Sequence, residues 1–273
     1  MVESDTSFIE NQSFIDKGKQ VIARGFILVF TFMKSFMKDR KSQILILLGI
    51  APSILLILMD ISFPSYYVAA IFFTDTVQTL YIALLLPLFG LLLGTAALSE
   101  EIESHTIVQL VSRPIRRFEL VFWRYFSTVI ASLLVAIISL SFLFVATGSC
   151  VLPDGSLHSN WGLHLLPGSW LLSLICSAVY CAIFSLLGVA LEKPLFWGVV
   201  ITLYEQLLGV IFSFFGGGLF SLSGHIFLVG EDLLPYVYSI PDWSVEGSVA
   251  LLLIISLVSF ILSVIIFQEK DLS

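Results

Sequence analysis

The chain has 273 residues, of which 58% are hydrophobic and 12% charged, and its formal net charge is −7. Because soluble domains carry about 25% charged residues, this composition excludes an ordinary soluble enzyme or nucleic-acid-binding protein. Apolar runs of about 20 residues predict helices that cross the hydrocarbon of a bilayer, so we interpret the chain as a polytopic membrane protein. Its three cysteines indicate no disulfide framework.

Residues 1–42 are predicted to form a cytoplasmic tail and an amphipathic helix that lies in the membrane interface. The apolar core of this segment, Gly25 to Met33, is too short to span the bilayer. Lys34 and Lys38 lie four residues apart, on one face of a helix whose other residues are largely apolar, which is typical of an interfacial helix. The alternative, a seventh span, would bury a basic side chain at a cost of about 2.5–3.5 kcal/mol near the bilayer centre.

Six apolar runs are predicted to span the membrane, since a helix satisfies its own backbone hydrogen bonds in lipid. The predicted fold class is therefore an all-α membrane protein with a transmembrane domain over residues 43–267 and a short cytoplasmic end over 268–273. The six spans are placed at about 43–59, 79–98, 125–147, 169–191, 195–215 and 247–267.

The distribution of charge predicts the orientation of these spans. With six spans, all 13 Lys and Arg residues fall in the segments on one side, and the opposite loops hold acidic residues but no basic ones. The positive-inside rule then predicts that both termini are cytoplasmic in a multi-pass protein of the cell membrane.

The longest outer segment, residues 216–246, opens with three glycines and continues with apolar residues, prolines and acidic residues. It is too apolar for a simple loop and too interrupted for a span. We expect a partly re-entrant segment that packs against the spans, because irregular backbone at membrane depth needs protein around it.

A charged segment, residues 99–119, joins the second and third spans. Thr106 with a glutamine three residues later is a capping-box pattern, which predicts a short helix whose apolar face includes Ile107 and Leu110. Pro114 ends this helix and can occupy the first turn of the next one. The residues alone leave two interpretations open: a rigid helix across the ends of two spans, or a solvated loop with interfacial arginines.

The motif SEEIESHTIVQLVSRPIRRFELVFWRYFS, together with the interfacial helix and the six spans, resembles the permeases of ABC type-2 exporters, the transmembrane subunits of ATP-binding cassette transporters. In that family a glutamate-rich exit from the second span leads to a coupling helix that starts at a Thr, and an Arg-Pro pair precedes the third span. One position departs from the family pattern, since His105 stands where a Gly usually precedes the Thr. The matching positions are Glu101, Thr106, Leu110, Arg113, Pro114, Arg117 and Glu119.

The resemblance implies that this chain acts together with partners. The charged segment would dock on a separate ABC ATPase subunit. Two permeases, as a homodimer or a heterodimer, and two ATPases would form an exporter that moves an amphipathic or hydrophobic substrate by alternating access. ATP and Mg would be bound by the ATPase, so no cofactor and no nucleic acid partner are expected for this chain. The residues expected to take part in the coupling are Glu100, Glu101, Glu103, Thr106, Ile107, Leu110, Arg113, Pro114, Arg117 and Glu119.

The sequence lacks the motifs of an ATPase or a hydrolase. A P-loop requires GxxxxGK[ST] to hold phosphates, and the pair Gly18-Lys19 has neither the preceding glycine nor the following Ser or Thr. There is no HExxH, no GxSxG and no cysteine-rich metal pattern, and His158, His164 and His225 match no ligand spacing. We therefore predict no catalytic residue and no metal site in this chain.

Glu205 is the one charged residue deep inside a predicted span. Such carboxylates are costly and usually face the bundle interior or a cavity. Three roles stay open for it: lining the substrate path, holding two helices together, or simple burial in protonated form. Gly90 and Gly94 form a GxxxG pair, a pattern that lets helices approach closely but is common in apolar sequence. Pro52 and Pro87 are expected to kink the first two spans.

Two further classes of function stay open as alternatives. An ion-coupled secondary carrier would need several intramembrane charges, whereas the sequence offers Glu205 alone. A non-transport membrane anchor subunit would need neither charges nor an ATPase. Copurification of an ATPase with the chain would separate these alternatives from the exporter.

Overall fold

The computed structural model describes residues 25–36, 38–59, 61–103, 117–151, 162–214, 221–234 and 244–269. Those residues are almost entirely helical, which confirms the all-α class. The helices are α1 Gly25–Phe36, α2 Arg40–Leu58, α3 Tyr66–Thr76, the π-helix π1 Val77–Leu85, α4 Leu86–Glu103, α5 Arg117–Ser149, α6 Leu165–Ala190, α7 Pro194–Phe214, α8 Leu222–Leu233 and α9 Val245–Glu269.

Four stretches of the described helices are long and apolar enough to cross a membrane, which indicates an integral membrane protein. Helices α2 and α7 lie where the first and fifth spans were predicted, but the apolar part of α2, Ser42–Leu58, is shorter than these four. The count of six spans therefore stays a prediction. The four stretches are Tyr66–Ala96, which joins α3, π1 and most of α4, and Phe118–Ser149, Leu165–Ala190 and Val245–Glu269.

The helix of the second span begins well before the residue we predicted. We placed its start at Thr79, whereas the helix starts at Tyr66, where the Ser65 side chain accepts a hydrogen bond from a backbone N–H of the first turn. Two hydroxyls of this polar stretch, those of Thr76 and Thr79, bond the helix itself. The Thr76 hydroxyl, for example, donates to the carbonyl of Phe72 at 2.7 Å.

Helices α4 and α6 form the tightest contact at the centre of the bundle. A Cβ added to Gly90 would lie 2.8 Å from Tyr180 Cβ, and one added to Gly94 would lie 2.9 Å from Phe184 Cβ. From the opposite side, a Cβ on Gly188 would lie 3.0 Å from a backbone oxygen of α4. The close approach that the GxxxG pair predicted is therefore confirmed.

The remaining helices surround this pair. The largest fully buried side chains include Tyr81, Phe89, Tyr180 and Phe184, which come from π1, α4 and α6. By contrast, only 22% of the apolar window of α9 is buried inside the protein. Lipid tails are as apolar as such side chains, so an uncovered aliphatic face is the expected surface of a membrane helix.

The outer segment predicted to be re-entrant contains α8, most of whose residues are buried. This short helix packs on α6 and α9. A Cβ on Gly168 of α6 would lie 2.5 Å from the carbonyl oxygen of Leu233, so the end of α8 needs a glycine opposite it. His225 Nδ1 lies 3.1 Å from Ser248 Oγ and joins α8 to α9. The depth of this helix in the bilayer stays a prediction.

Helix α1 is held against the start of α5. A Cβ on Gly25 would overlap the ring of Trp123, and the guanidinium carbon of Arg124 lies 5.3 Å from the ring centroid of Phe32, a cation–π contact. On the outward face Phe26 is 71% exposed. An apolar outward face suits an interfacial helix, although its position relative to the membrane stays a prediction.

Replacing Gly94 with Leu should separate α4 from α6, because a Cβ at this position already lies 2.9 Å from Phe184 Cβ. Overpacking costs about 1–3 kcal/mol, so we expect a lower midpoint of thermal unfolding for the protein in lipid nanodiscs. Leu84→Phe adds bulk at an exposed position of the same continuous helix and is the matched control. Equal midpoints for G94L and the native protein would contradict the close contact.

Candidate functional site

The predicted coupling residues lie only partly in the described structure. Thr106, Ile107, Leu110, Arg113 and Pro114 lie outside the described residues. The others sit where two helices meet the charged segment: Glu100, Glu101 and Glu103 at the end of α4, and Arg117 and Glu119 at the start of α5. An acidic residue in the first turn, as Glu119 is, complements the dipole of α5.

Both helices that bracket the segment are anchored in the bundle. Helix α5 packs on α2, α4 and α6. The Tyr125 hydroxyl of α5 donates to the carbonyl of Ala178 in α6 at 3.0 Å. Further along, the hydroxyls of Ser132 and Ser177 lie 3.0 Å apart. A displacement at the ends of α4 and α5 would therefore be transmitted to the helices on which they pack.

A groove of about 820 Å³ opens beside the second half of α4. It is bounded by α1, α2, α4 and the link between α6 and α7. Its wall includes the buried side chains of Phe36, Leu45 and Leu93, whereas the charged residues Asp39 and Lys193 are exposed at its edge. The volume falls within the roughly 300–1,000 Å³ of small-molecule sites, and the lining combines an apolar interior with charged groups.

Glu205 of α7 joins three helices. It is 7% exposed, and its Oε1 accepts hydrogen bonds from the Tyr180 hydroxyl of α6 at 3.0 Å and from the Ser223 N–H of α8 at 2.8 Å. The Ser221 side chain accepts a third bond, from the Gly224 N–H at 3.4 Å. These acceptors satisfy N–H groups that the start of a helix leaves unpaired. The geometry supports the interpretation that Glu205 holds helices together.

Gln206, the next residue, makes a link that we did not predict from the sequence. Its Nε2 donates to the carbonyl of Ala83 in π1. Ala83 stands four residues before Pro87, whose nitrogen carries no hydrogen for that carbonyl. The sequence shows a proline in one apolar run and a glutamine in another. It does not show that the helix bearing the glutamine packs beside the carbonyl that the proline leaves unpaired.

The π-helix has its own anchor on α2. The Tyr81 hydroxyl, fully buried, donates to the carbonyl of Gly49 at 2.7 Å. Such wide turns are frequent at functional sites of helices. The wide turn, Val77–Leu85, lies directly before Pro87, and the kink expected at this proline stays a prediction.

The outer histidines are not brought together in the described part of the chain. His225 is buried beside Ser248, His164 is exposed before α6, and His158 lies outside the described residues. Among the residues whose positions are described, no group of three or more His, Cys, Asp or Glu side chains could hold a metal ion.

Replacing Glu205 with Leu should destabilise the protein, because the Tyr180 hydroxyl and the Ser223 N–H would lose their acceptor. A buried polar group without a partner costs about 1–3 kcal/mol, which should lower the midpoint of thermal unfolding in nanodiscs. Glu205→Gln keeps a carbonyl oxygen at the same place and is the matched control. Should E205L and E205Q unfold at the same temperature, the bonds to Oε1 do not hold the helices.

Comparison with known protein families gives one match that spans most of the chain. The family described as ABC-2 family transporter protein matches residues 3–228, from the N-terminal tail through α7 and into α8. No curated protein matches the chain. The match agrees with the apolar, all-helical fold and with the charged segment between the second and third predicted spans. The chain therefore belongs to the ABC-2 transporter family and is a membrane permease of the ABC type-2 kind.

Proposed function

We propose that the chain is the transmembrane subunit of an ATP-driven exporter that works with a separate ATPase and moves an amphipathic or hydrophobic substrate. The observation that carries this proposal is the family match over residues 3–228, which makes a transport role the first expectation. In the assembly, two permeases and two ATPases would act together in the cell membrane, with both permease termini cytoplasmic. ATP and Mg would be bound by the ATPase.

The proposed coupling passes through residues 104–116. Helix α4 ends at Glu103 and α5 begins at Arg117, so an ATPase that grips the intervening segment would act on both helices. Leu92, Leu93 and Thr95 of α4 line the groove. A tilt of α4 against α2 and α7 would therefore change the width of the groove, which links ATP hydrolysis to substrate access.

The groove supports an amphipathic substrate. Its apolar wall would accept a hydrocarbon portion, and Asp39, Glu192 and Lys193 at the edge would contact a polar portion. Alternating access between two permeases would then expose the substrate first to one side and then to the other.

The alternatives are less well supported. An ion-coupled carrier needs titratable groups that an ion can reach, but Glu205 is buried and its Oε1 already accepts two hydrogen bonds. A non-transport anchor would have no use for a groove of about 820 Å³ beside the helix that bears the charged segment.

Replacing Leu110 with Asp should uncouple the ATPase, because a charge would stand on the predicted apolar docking face. We expect the Mg-ATP hydrolysis that copurifies with the tagged chain from its native membrane to fall by about tenfold, equivalent to about 1.4 kcal/mol of docking energy. Asp232→Asn, exposed on α8, is the control. If no ATPase copurifies with the native chain, or if L110D leaves ATP hydrolysis unchanged, the coupling proposal fails.

Replacing Leu92 with Trp should obstruct the groove, since Leu92 lines it and is partly exposed. We expect ATP-dependent uptake of amphipathic dyes into inverted vesicles that contain the permease and its ATPase to fall at least about fivefold, as expected for about 1 kcal/mol of steric conflict. Leu84→Trp, at an exposed position of π1 that lies outside the groove, is the control. Uptake by L92W at the native rate would exclude the groove from the substrate path.

A further inference from the structure

We propose that Gln206 supplies the hydrogen bond that Pro87 removes, and that Glu205 and Gln206 together clamp α7 between the α4 side of the bundle and α8. We call these two residues the α7 clamp. The inference goes beyond the exporter proposal and does not depend on it, because every contact involved lies within the described part of this chain.

The first step concerns the carbonyl of Ala83. In an α-helix the N–H of residue 87 would bond this carbonyl, but proline has no N–H and its ring crowds the carbonyl four residues back. The π-helix ends just before, where the Leu86 N–H donates to Tyr81 five residues back. We infer that the α register resumes at Pro87, so the carbonyl that proline leaves unpaired is that of Ala83. A carbonyl released in this way inside a membrane needs a donor from a neighbouring helix. Gln206 Nε2 is that donor.

The second step concerns the two adjacent residues of the clamp. Successive residues of a helix point about 100° apart, so neighbours in sequence can reach different helices. Glu205 reaches Tyr180 of α6 and Ser223 of α8, while Gln206 reaches π1. Side chains of one turn of α7 therefore bond α6 and α8 through Glu205 and π1 through Gln206.

The third step is that close apolar packing of α7 is found at its start, where a Cβ on Gly198 would overlap Leu91, rather than at the clamp. Leu203, Tyr204 and Leu207 surround the clamp on α7 and are 59–62% exposed. A rotation of α7 by one residue that moved Gln206 into the place of Glu205 would bring the apolar Leu207 to the carbonyl of Ala83, so that bond would be lost. The clamp therefore favours one rotation of α7. Leu195 and Phe196, in the first turn of α7, line the groove. By holding α7 the clamp helps to position this wall of the groove, which makes Gln206 a positioning residue.

A double-mutant cycle on the full chain in lipid nanodiscs tests the first step. Gln206→Met keeps the length of the side chain but removes the donor, and we expect the midpoint of thermal unfolding to fall by about 2–5 °C. Pro87→Ala restores an N–H for Ala83, so Q206M should cost less than about 1 °C in that background. Leu207→Met, on the exposed side of the same turn, is the control. An equal loss in both backgrounds would overturn the proposal.

Amide hydrogen exchange of the Q206M variant tests whether Glu205 and Gln206 act together. If Gln206 fixes α7, Q206M should displace Glu205 and speed amide exchange of residues 222–224 by at least about threefold, whereas L207M should not. Exchange of residues 222–224 should stay fast in P87A/Q206M, because that variant gives the Ala83 carbonyl a backbone donor but leaves α7 without its bond to π1. Unchanged exchange at the start of α8 in Q206M would overturn the clamp. Neither measurement involves an ATPase, so its result is independent of the exporter proposal.

Discussion

The hydrogen bond from Gln206 to Ala83 illustrates the constraint on which the whole structure depends: within a bilayer, each polar backbone group must find its partner in the protein. Two further polar side chains meet the same requirement. Glu205 bonds the first turn of α8, where a helix has unpaired N–H groups. Tyr81 reaches the carbonyl of Gly49 across a helix interface. Gln206 and Glu205 thus bond backbone groups where regular helical bonding is interrupted or begins, and Tyr81 joins two helices.

Helix α4 is the element at which these requirements meet. Its glycines let α6 approach, as the space around Gly90 and Gly94 shows, while its second half lines the groove. Its end carries Glu103, inside the charged segment, and Pro87 near its start creates the need for Gln206. Four separate features therefore share one helix, and any movement of α4 must preserve or exchange their contacts together.

The sequence was sufficient for features that depend on one segment at a time. Apolar run length predicted the helices, and the rarity of charge inside them drew attention to Glu205. The predicted second span begins at Thr79, whereas the helix begins at Tyr66. Thr76 looks like a loop residue, but its hydroxyl bonds a carbonyl of the same helix. The groove and the partner of Gln206 depend on which helix faces meet, and no local pattern in a single sequence contains that information.

The contact between α1 and α5 has a consequence for biosynthesis. Gly25 packs on Trp123, and Phe32 lies under Arg124, yet the ribosome releases α1 before α5 has been made. During that interval α1 lacks its partner, and the outward side chain of Phe26 can retain it at the lipid surface. The amino-terminal helix would therefore reach its final place only after the translocon has inserted α5, so that assembly of this region is late although its translation is early.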